Sequence, residues 1–328
     1  MPTIRDVAAK AGVSIGTVSR VLAGSDSTSE ASRSQVRAAV EALGYAPNAR
    51  AQSLRLLRTG VLGLSISDVR NPFFAEIAHA AEQEALRHGY VTMLGNANED
   101  MAQEVRYLDT FASQRVDGVL MSPQGADGTR IQRLLDHGTP VVFVDRTLEN
   151  VAVPSVTSDS RMGMGQALEY LAGRGHTRVG YVGGPVTVST GRARLAAFQS
   201  VRAELQLDLD DDLVYLGDYR QASGAAALAH FLALPSAPTA VVTGDSLMAL
   251  GTLVGLRERG LWLGEEIEVV SFDDVDWMSL ITPGLTAIAH DAAAMGTLGM
   301  RLLLERIGGA APAPMVLPTH IVTRGSVR

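Results

Sequence analysis

Residues 3–22 read TIRDVAAKAGVSIGTVSRVL, and this stretch decides how the N-terminal part of the chain folds. Apolar residues recur at helical spacing from Ile4 to Ala11, behind Thr3, a residue type that caps helices. Gly12 follows, and glycine permits the left-handed backbone that ends a helix. A second amphipathic stretch begins at once. We therefore predict two helices joined by a tight glycine turn.

The N-terminal region continues with a third helix and a polar linker. The third helix is predicted to start after Ser29, to bury Val36 and Val40, and to end at Gly44. The next residues, 46–60, include a proline and are too few and too polar to fold alone, because isolated helices under about 12 residues are marginal in water. We expect this linker to become helical only against a partner.

Charge is distributed unevenly along the chain. The net charge is −7, yet residues 1–60 carry eight cationic and four anionic side chains, a net of +4, which leaves −11 for residues 61–328. A small basic head joined to a large acidic body indicates nucleic-acid binding at one end.

From Val61 onward, strand-like and helix-like segments alternate. Such alternation implies right-handed crossovers and parallel sheets with both faces covered. Two similar blocks, about 61–157 and 159–287, predict two doubly wound subdomains with a ligand cleft at the carboxyl ends of the strands. The predicted strands are 61–67, 91–95, 116–121, 141–145, 179–183, a short strand before Tyr219, 240–243, 268–272, 285–289 and a last one near 315–317, and the predicted helices lie near 73–88, 101–114, 128–137, 161–174, 191–205, 221–233, 246–259 and 291–306.

Several function classes are excluded by what the sequence lacks. It has no cysteine, hence no disulfide framework or thiolate metal site, and no apolar run near the roughly 18 residues of a membrane span. The N-terminus lacks the pattern of a signal peptide, so we expect a cytoplasmic protein with no membrane partner. No glycine loop for dinucleotides or phosphates, no paired-histidine metal motif and no set of residues for nucleophilic catalysis is present. We predict no cofactor, no metal and no enzymatic activity.

The head resembles the N-terminal domain of the lactose-repressor family of bacterial transcription regulators. The likeness rests on residues 3–22 and continues through Glu30, the run Leu43-Gly44-Tyr45, and matches between Pro47 and Leu54. The resemblance implies a helix-turn-helix whose second helix lies in the major groove of duplex DNA. It assigns base contacts to Ile15, Gly16 and Arg20, and phosphate contacts to Ser14, Thr17 and Ser19.

The same resemblance makes residues 48–55 a hinge helix that reaches DNA. It adds Tyr45, Asn48, Ala51 and Leu54 to the expected DNA-binding residues. Leu54 would be an apolar wedge that opens a minor-groove step and kinks the duplex. The alternative is that Leu54 only packs the linker on the body.

The body is similar to the family's effector domain, which itself resembles periplasmic sugar-binding proteins. Candidate ligand contacts follow predicted strand ends at 71–74, 145–146 and 273–274, where such folds hold their ligands. Arg194 is expected in the first turn of the helix 191–205. Taken singly, Phe74 could belong to the core, and Asp145 could cap the next segment. The resemblance assigns eight effector-binding residues: Phe73, Phe74, Asp145, Arg146, Thr190, Arg194, Tyr219 and Asp273.

Several positions depart from the family's usual residues. Gly16 and Ala23 replace a larger side chain and an asparagine in the head. In the body, Gly244-Asp245-Ser246 stands where an asparagine-aspartate pair is usual, and Val188 stands where purine-sensing members use a charged contact. Aromatic faces combined with carboxylate and guanidinium groups suit a polyhydroxylated ligand, so the expected effector is a sugar or a sugar derivative.

The sequence thus predicts an α/β protein with three parts: a helix-turn-helix head, residues 1–46, a hinge linker, residues 47–60, and an effector-binding and dimerisation body, residues 61–328. The body is expected to contain two doubly wound parallel-sheet subdomains of the periplasmic-binding-protein type. Subdomain one would comprise about 61–158 and 288–313, and subdomain two about 159–287 and 314–328.

We expect a homodimer that reads a pseudo-palindromic operator, because two-fold protein symmetry is mirrored in the DNA site. It would respond to a small molecule and act as a repressor. The competing hypothesis is a cytoplasmic sugar-binding or sugar-modifying α/β protein whose helical head serves only assembly.

Overall fold

The computed structural model describes residues 2–22, 25, 27–45 and 58–328. These fall into two compact units, one within residues 1–59 and the other spanning Gly60–Arg328. Most of the predicted linker, including Asn48, Ala51 and Leu54, lies outside the described residues, as does Ala23.

The head contains the three predicted helices, α1 (Ile4–Ala11), α2 (Ile15–Leu22) and α3 (Glu30–Leu43). At the start of α1, the Asp6 carboxylate accepts hydrogen bonds from the Thr3 backbone N–H at 2.7 Å and from the Thr3 hydroxyl at 2.8 Å. Gly12 and Gly44 end α1 and α3 with φ of 66° and 59°, the left-handed region that glycine adopts without strain. One small core holds the three helices together: Val7, Ala8, Ala11, Val18, Val36 and Ala39.

The body contains two six-stranded sheets, which confirms the predicted fold class. The strands are β1 (Val61–Ile66), β2 (Val91–Asn96), β3 (Val119–Met121), β4 (Val141–Val144), β5 (Ser155–Ser158), β6 (Val179–Gly183), β7 (Val214–Leu216), β8 (Ala240–Thr243), β9 (Glu268–Phe272), β10 (Thr286–Ala289), β11 (Met315–Leu317) and β12 (His320–Val322). The first sheet has the order β11-β5-β4-β3-β1-β2, and the second has the order β12-β10-β9-β8-β6-β7. All pairs are parallel except β10 with β12.

Helices cover both faces of each sheet. Their apolar faces and the strands form two buried clusters in each subdomain, one on either side of the sheet. In the part of the chain that the structure describes, no helix has the length and apolar character needed to cross a bilayer. The body helices are Pro72–Arg87, Met101–Gln114, Thr129–Asp136, Ser160–Ala172, Ser189–Glu204, Gln221–Leu232, Ser246–Glu258, Trp277–Leu280 and Ala292–Ile307.

The division of the body into subdomains differs from the predicted boundaries at two places. Residues 288–289 belong to β10, which extends the second sheet beside β9, so they are not part of subdomain one. The strand β11, assigned to subdomain two by the sequence, pairs with β5 in the first sheet. The helix Ala292–Ile307 packs on the first sheet and returns the chain to it, so that β11 adds to the free edge of β5. The chain therefore crosses between the sheets after β5, after β10 and after β11.

Three further details were predicted incorrectly. The strands β5 and β12 were missed, because both are short and carry polar residues. The strand predicted at 116–121 begins only at Val119, since Arg115 takes a left-handed conformation and the Val116 N–H closes the preceding helix on the Phe111 carbonyl. The helix that carries Arg194 begins at Ser189, so Arg194 lies in its second turn.

Candidate functional site

The second helix of the head presents the face expected to meet DNA. Val18 is fully buried in the core of the head, whereas Ser14 and Gly16 are exposed and Ile15 keeps 45% of its surface accessible. Ser14 caps the helix, as its hydroxyl oxygen accepts a hydrogen bond from the Thr17 backbone N–H at 3.1 Å. Ile15 is therefore accessible to a partner on this face of the helix.

Arg20 lies on the exposed side of the same helix, one turn after Gly16. Its Nε donates to the Gly16 carbonyl oxygen at 3.2 Å. A Cβ atom built at Gly16 would meet only the Ser14 hydroxyl, at 3.7 Å, so a larger residue would fit at this position without a steric clash. Of the other expected DNA contacts, Thr17 and Ser19 are half-buried.

Tyr45 occupies a different environment from the other expected DNA contacts. Its ring packs against the core of the head, and its backbone N–H donates to the Val40 carbonyl at 3.0 Å, which completes the end of α3. The ring therefore supports the head structurally, and a DNA contact by Tyr45 remains a prediction.

In the body, one cavity is lined by all eight residues that the sequence singled out as effector contacts. The cavity is nearly closed, with a volume of about 10 Å³, roughly what one water molecule needs. This is small beside the roughly 300–1,000 Å³ of typical ligand sites, so a ligand of sugar size needs the surrounding side chains to move apart. Three more residues, which are not among those eight, complete the lining: Asn71, Glu99 and Asp245.

Arg146 carries one of the two guanidinium groups of the cavity, and its side chain is 2% exposed. Its two terminal nitrogens each donate to a different oxygen of Glu99, both at 2.8 Å, and one of them also donates to the side-chain oxygen of Gln124 at 2.8 Å. The guanidinium carbon lies 5.7 Å from the ring centre of Phe74 and 5.2 Å from that of Tyr219, within the range of cation–π attraction. Because Tyr219 follows a strand of the second sheet, Arg146 links the two subdomains.

Arg194 carries the second guanidinium group and also connects the subdomains. Its Nη2 lies 3.7 Å from Asp273 Oδ1 and 4.0 Å from Asp145 Oδ1, and its Nη1 donates to the Gly244 carbonyl oxygen at 2.5 Å. The guanidinium carbon also lies 3.8 Å from the ring centre of Phe272. Asp145 belongs to the first subdomain and Asp273 to the second, so one cation stands between carboxylates of both.

His290 was not predicted to belong to the site, although it directly follows β10. Its Nε2 is 2.8 Å from Asp273 Oδ1, and its ring stacks on Phe73 with centres 4.3 Å apart. The ring of Phe73 belongs to the first subdomain, and β10 to the second. The position of His290 at a strand end was the available signal, because residues at such ends meet at the cleft.

A further set of contacts across the cleft joins the starts of two helices. Asn71 caps the helix Pro72–Arg87, its Oδ1 accepting from the Phe73 N–H at 3.0 Å, and Asp245 caps the helix Ser246–Glu258, its Oδ1 accepting from the Met248 N–H at 2.8 Å. Across the cleft, Asn71 Nδ2 donates to Asp245 Oδ2 at 3.4 Å, and the Ser246 hydroxyl donates to Asn71 Oδ1 at 3.1 Å. The two caps therefore also hold the subdomains together.

Strained backbone is concentrated at the cavity. Four of its lining residues, Glu99, Asp145, Tyr219 and Asp273, have φ between 53° and 66°, a region that residues other than glycine seldom adopt. Each such residue costs about 1–3 kcal/mol and persists only where its surroundings impose it, and these sites are often ligand sites.

The structure also decides two alternatives that the sequence left open. Asp145 caps no segment, so the hypothesis that it only caps the next segment is wrong. Phe74 both packs in the core and lines the cavity.

Burial shifts the acidities of the carboxylates in the cavity. It raises the pKa of Asp245 to about 7, and the nearby charge of Asp273 acts in the same direction. Burial also raises the pKa of Asp145, although Arg194 opposes the shift. For Asp273, burial is outweighed by Arg194 and by the hydrogen bond with His290, so its pKa is lowered. Of these three carboxylates, Asp273 is therefore the one most firmly held as an anion.

The remaining predicted contacts lie on the side of the second subdomain. The Tyr219 hydroxyl donates to Thr190 Oγ1 at 3.4 Å, and burial raises the pKa of Tyr219 to about 12. Val188 is buried and presents no polar group at the start of the helix Ser189–Glu204. Within the residues that the structure describes, no group of histidine, aspartate and glutamate side chains is arranged to hold a metal ion.

Comparison with known proteins identifies both units. Residues 3–48 match the family described as bacterial regulatory proteins, lacI family, and residues 168–327 match the periplasmic binding protein-like domain. Over 331 aligned residues, the chain is 32% identical to the HTH-type transcriptional repressor PurR of Escherichia coli O139:H28, with 100% of this chain and 97% of the relative covered.

Two solved structures of similar proteins cover nearly the whole chain. The transcriptional regulator CelR in complex with cellobiose is 33% identical, with a TM-score of 0.75 and coverage of 99% of this chain and 100% of that one. The lac repressor dimer bound to operator and the anti-inducer ONPF is 26% identical, with a TM-score of 0.86 and coverage of 100% and 99%. The competing hypothesis of a head that serves only assembly is therefore set aside. The chain belongs to the LacI family, as a ligand-responsive, DNA-binding transcriptional repressor and not an enzyme.

Proposed function

We propose that this protein binds a pseudo-palindromic operator through Ile15, Gly16 and Arg20 and changes its affinity for that operator when a sugar, or a related polyhydroxylated metabolite, fills the cavity of the body. In this proposal, the head at residues 1–46 reads the DNA, the hinge at 47–60 adds DNA contacts, and the body at 61–328 binds the effector. Operator DNA lies in the bacterial cytoplasm, which is therefore the proposed location.

The observation that carries the sugar assignment is the set of unpartnered polar atoms around the cavity. In the described part of the chain, Asp145 Oδ1 accepts no hydrogen bond, and the Nε atoms of Arg146 and Arg194 donate none. A buried polar atom without a partner costs about 1–3 kcal/mol. A hydroxyl group donates to the first kind of atom and accepts from the second, and a sugar offers several hydroxyls at fixed spacing.

Aromatic side chains supply the other half of a sugar site. Phe73, Phe74 and Tyr219 line the same cavity as the carboxylates and guanidinium groups. An aromatic face beside hydrogen-bonding groups suits a ring that is apolar on one side and hydroxylated at its edge. The complex of the similar CelR with cellobiose supports this class of ligand, whereas the buried Val188 offers no charged contact to a nucleobase.

In the head, the proposal assigns phosphate contacts to Ser14, Thr17 and Ser19 and a supporting DNA contact to Tyr45. The hinge residues Asn48, Ala51 and Leu54 are proposed to complete the DNA contacts, with Leu54 as the wedge in the minor groove.

The test uses the full-length protein and two measurements. Selection from a random DNA library should recover a two-fold symmetric site, and its affinity should fall steeply with salt, by about 0.9 logarithmic units per phosphate contact for each tenfold rise. Titration of the protein–operator complex with cellobiose, D-glucose and D-ribose should then identify a sugar that changes the affinity. Absence of a preferred DNA site would contradict the operator assignment, and indifference to every sugar would contradict the effector assignment.

A further inference from the structure

Acidic side chains outnumber basic ones around the cavity. Four carboxylates line it, those of Glu99, Asp145, Asp245 and Asp273, against the two guanidinium groups of Arg146 and Arg194. All six side chains are nine-tenths or more buried, so water screens their charges little. The question for any ligand is whether either cation is available to an added negative charge.

The terminal nitrogens of Arg146 are not available. They are occupied by the two oxygens of Glu99, a bidentate pair with both distances at 2.8 Å, and one of them also donates to Gln124. Such a pair fixes the direction of the guanidinium and neutralises it. The Nε atom donates no hydrogen bond, but a phosphate that paired with the terminal nitrogens would have to displace Glu99 and leave that carboxylate buried without its cation.

Arg194 is committed as well. It stands between Asp145 and Asp273, 4.0 and 3.7 Å from their nearest oxygens, and also donates to the Gly244 carbonyl. One cation therefore serves two carboxylates, and the pKa of Asp145 is raised by burial in spite of it. A further anion here would increase the repulsion that already disfavours the ionised Asp145.

Helix N-termini are the other common sites for phosphate groups, and at two of those that face the cavity a side-chain cap already accepts one backbone N–H. Asn71 accepts the Phe73 N–H, and Asp245 accepts the Met248 N–H. A third helix, Ser189–Glu204, begins without a side-chain cap. Its first turn is where a phosphate would bind if the cavity accepts one, which gives the test a defined alternative.

From this arrangement we propose that the cavity selects an uncharged, unphosphorylated sugar and rejects the phosphate ester of the same sugar. The inference rests on the proposed function and specifies the chemical class of its effector. A hydroxyl group can donate a hydrogen bond to Asp145 Oδ1 and accept one from the guanidinium Nε atoms. An ionised phosphate oxygen only accepts hydrogen bonds, and it brings added negative charge toward the four carboxyl groups of the lining. Glu99 is then the residue that determines this selectivity, because it holds Arg146 away from an incoming anion.

The experiment compares matched pairs of probes by calorimetric titration into the full-length protein. The probes are D-glucose with glucose 6-phosphate, D-ribose with ribose 5-phosphate, and inorganic phosphate alone. In the parent protein, each phosphate ester should bind at least about tenfold more weakly than its free sugar, the minimum expected for an unscreened like charge within several ångströms. Inorganic phosphate should give no heat.

The variant Glu99→Gln removes one carboxylate and releases Arg146 from its bidentate ion pair. It should bind inorganic phosphate or the phosphate esters at least about tenfold more tightly than the parent does. Glu305→Gln, which removes an exposed carboxylate from the helix Ala292–Ile307, is the matched control and should leave the discrimination unchanged. Asp145→Asn provides a second test of the same charge balance if Glu99→Gln folds poorly.

The two proposals fail in different ways. A parent protein that binds a phosphate ester as tightly as its free sugar would overturn the charge-selection proposal and leave the sugar assignment intact. If no sugar binds and Glu99→Gln still gains phosphate binding, the sugar assignment fails while charge selection holds. If neither Glu99→Gln nor Asp145→Asn gains affinity for any phosphate probe, charge selection is overturned.

Discussion

Asp273 Oδ1 lies 3.7 Å from Arg194 Nη2 and 2.8 Å from His290 Nε2, so a single carboxylate oxygen meets a guanidinium on one element and an imidazole on another. Through His290 the contact extends to Phe73 of the first subdomain, and through Arg194 it extends to Asp145. Any ligand that binds Asp273 therefore acts on groups from both subdomains at once. A ligand shifts a conformational equilibrium only if it binds one arrangement better than another, and this carboxylate is placed to make that difference.

Replacing Asp273 with asparagine should abolish the response to effector. The side chain keeps its size and loses its charge, so we expect effector binding to weaken at least about tenfold, because a hydrogen bond to a charged group contributes about 1.5–3 kcal/mol. Operator affinity without effector should stay near that of the parent. Calorimetric titration of the effector, with and without operator, measures both, and linkage requires that effector and operator change each other's affinity by the same factor.

Asp274→Asn is the matched control for this experiment. Asp274 is the neighbouring residue, pairs with Arg324 at 2.8 Å and does not line the cavity. It should lose some stability and keep the effector response. Parent-like effector affinity in Asp273→Asn would remove Asp273 from the site.

Removing Arg146 should destabilise the body far more than removing an exposed arginine. Arg146→Ala leaves Glu99 buried without its cation, for which a loss of about 3–5 kcal/mol is typical. Arg161→Ala breaks a pair with Glu204 whose two side chains are more than half exposed, and such pairs contribute about 0–1 kcal/mol. Urea unfolding of both variants measures the contrast, and equal midpoints would show that Arg146 contributes no more than a surface arginine.

Stability should depend on pH through Asp245. Its pKa is about 7 in the folded protein against 3.8 for the ordinary group, so the folded state keeps a proton that the unfolded chain has released. Stability is therefore lost as pH rises from about 4 to about 7, at no more than about 1.4 kcal/mol per pH unit for this group. Glu104, whose pKa burial also raises to about 7, adds a loss of the same sign.

Asp245→Asn separates the two contributions. Asparagine still caps the helix Ser246–Glu258, so the variant removes the titration and keeps the cap. Between pH 4 and pH 7, the stability of Asp245→Asn should fall less steeply than that of the parent, and Glu104→Gln should show a comparable reduction. Parallel stability curves for parent and Asp245→Asn, recorded by urea unfolding at each pH, would contradict the raised pKa.

Much of the fold was predictable because its signals are local. Hydrophobic periodicity and the alternation of strands with helices indicated two parallel sheets, and the glycines at positions 12 and 44 indicated the ends of head helices. The assignment of β11 to the first sheet was not predictable in this way. It depends on pairing with β5, about 160 residues earlier in the chain, and nothing in the sequence of Met315–Leu317 distinguishes the two available edges.

The site was predictable where a residue follows the end of a strand, directly in the case of Asp145 and Asp273 and after a short loop in the case of Phe73. Phe73, Asp145 and Asp273 meet in one cavity because the carboxyl ends of parallel strands share an edge of each sheet. Glu99 was missed because it reaches the cavity through a loop in which both it and Asn98 have positive φ, a conformation that their sequence does not specify. Its partnership with Arg146 depends on the contact between two separate loops of the first subdomain.

In the head, Arg20 should read a base and Thr17 should only position the helix. Arginine donates two hydrogen bonds to the O6 and N7 atoms of guanine, and Arg20 lies on the exposed side of α2. Arg20→Ala should therefore cost about 1–3 kcal/mol and relax the preference at one base pair in each half-site, and Thr17→Ala should weaken binding to all sequences alike. Binding of each variant to a library of single-base operator mutants measures both effects. If the preference profile of Arg20→Ala is the same as that of the parent, Arg20 contacts phosphate and the sequence is read by other residues of α2.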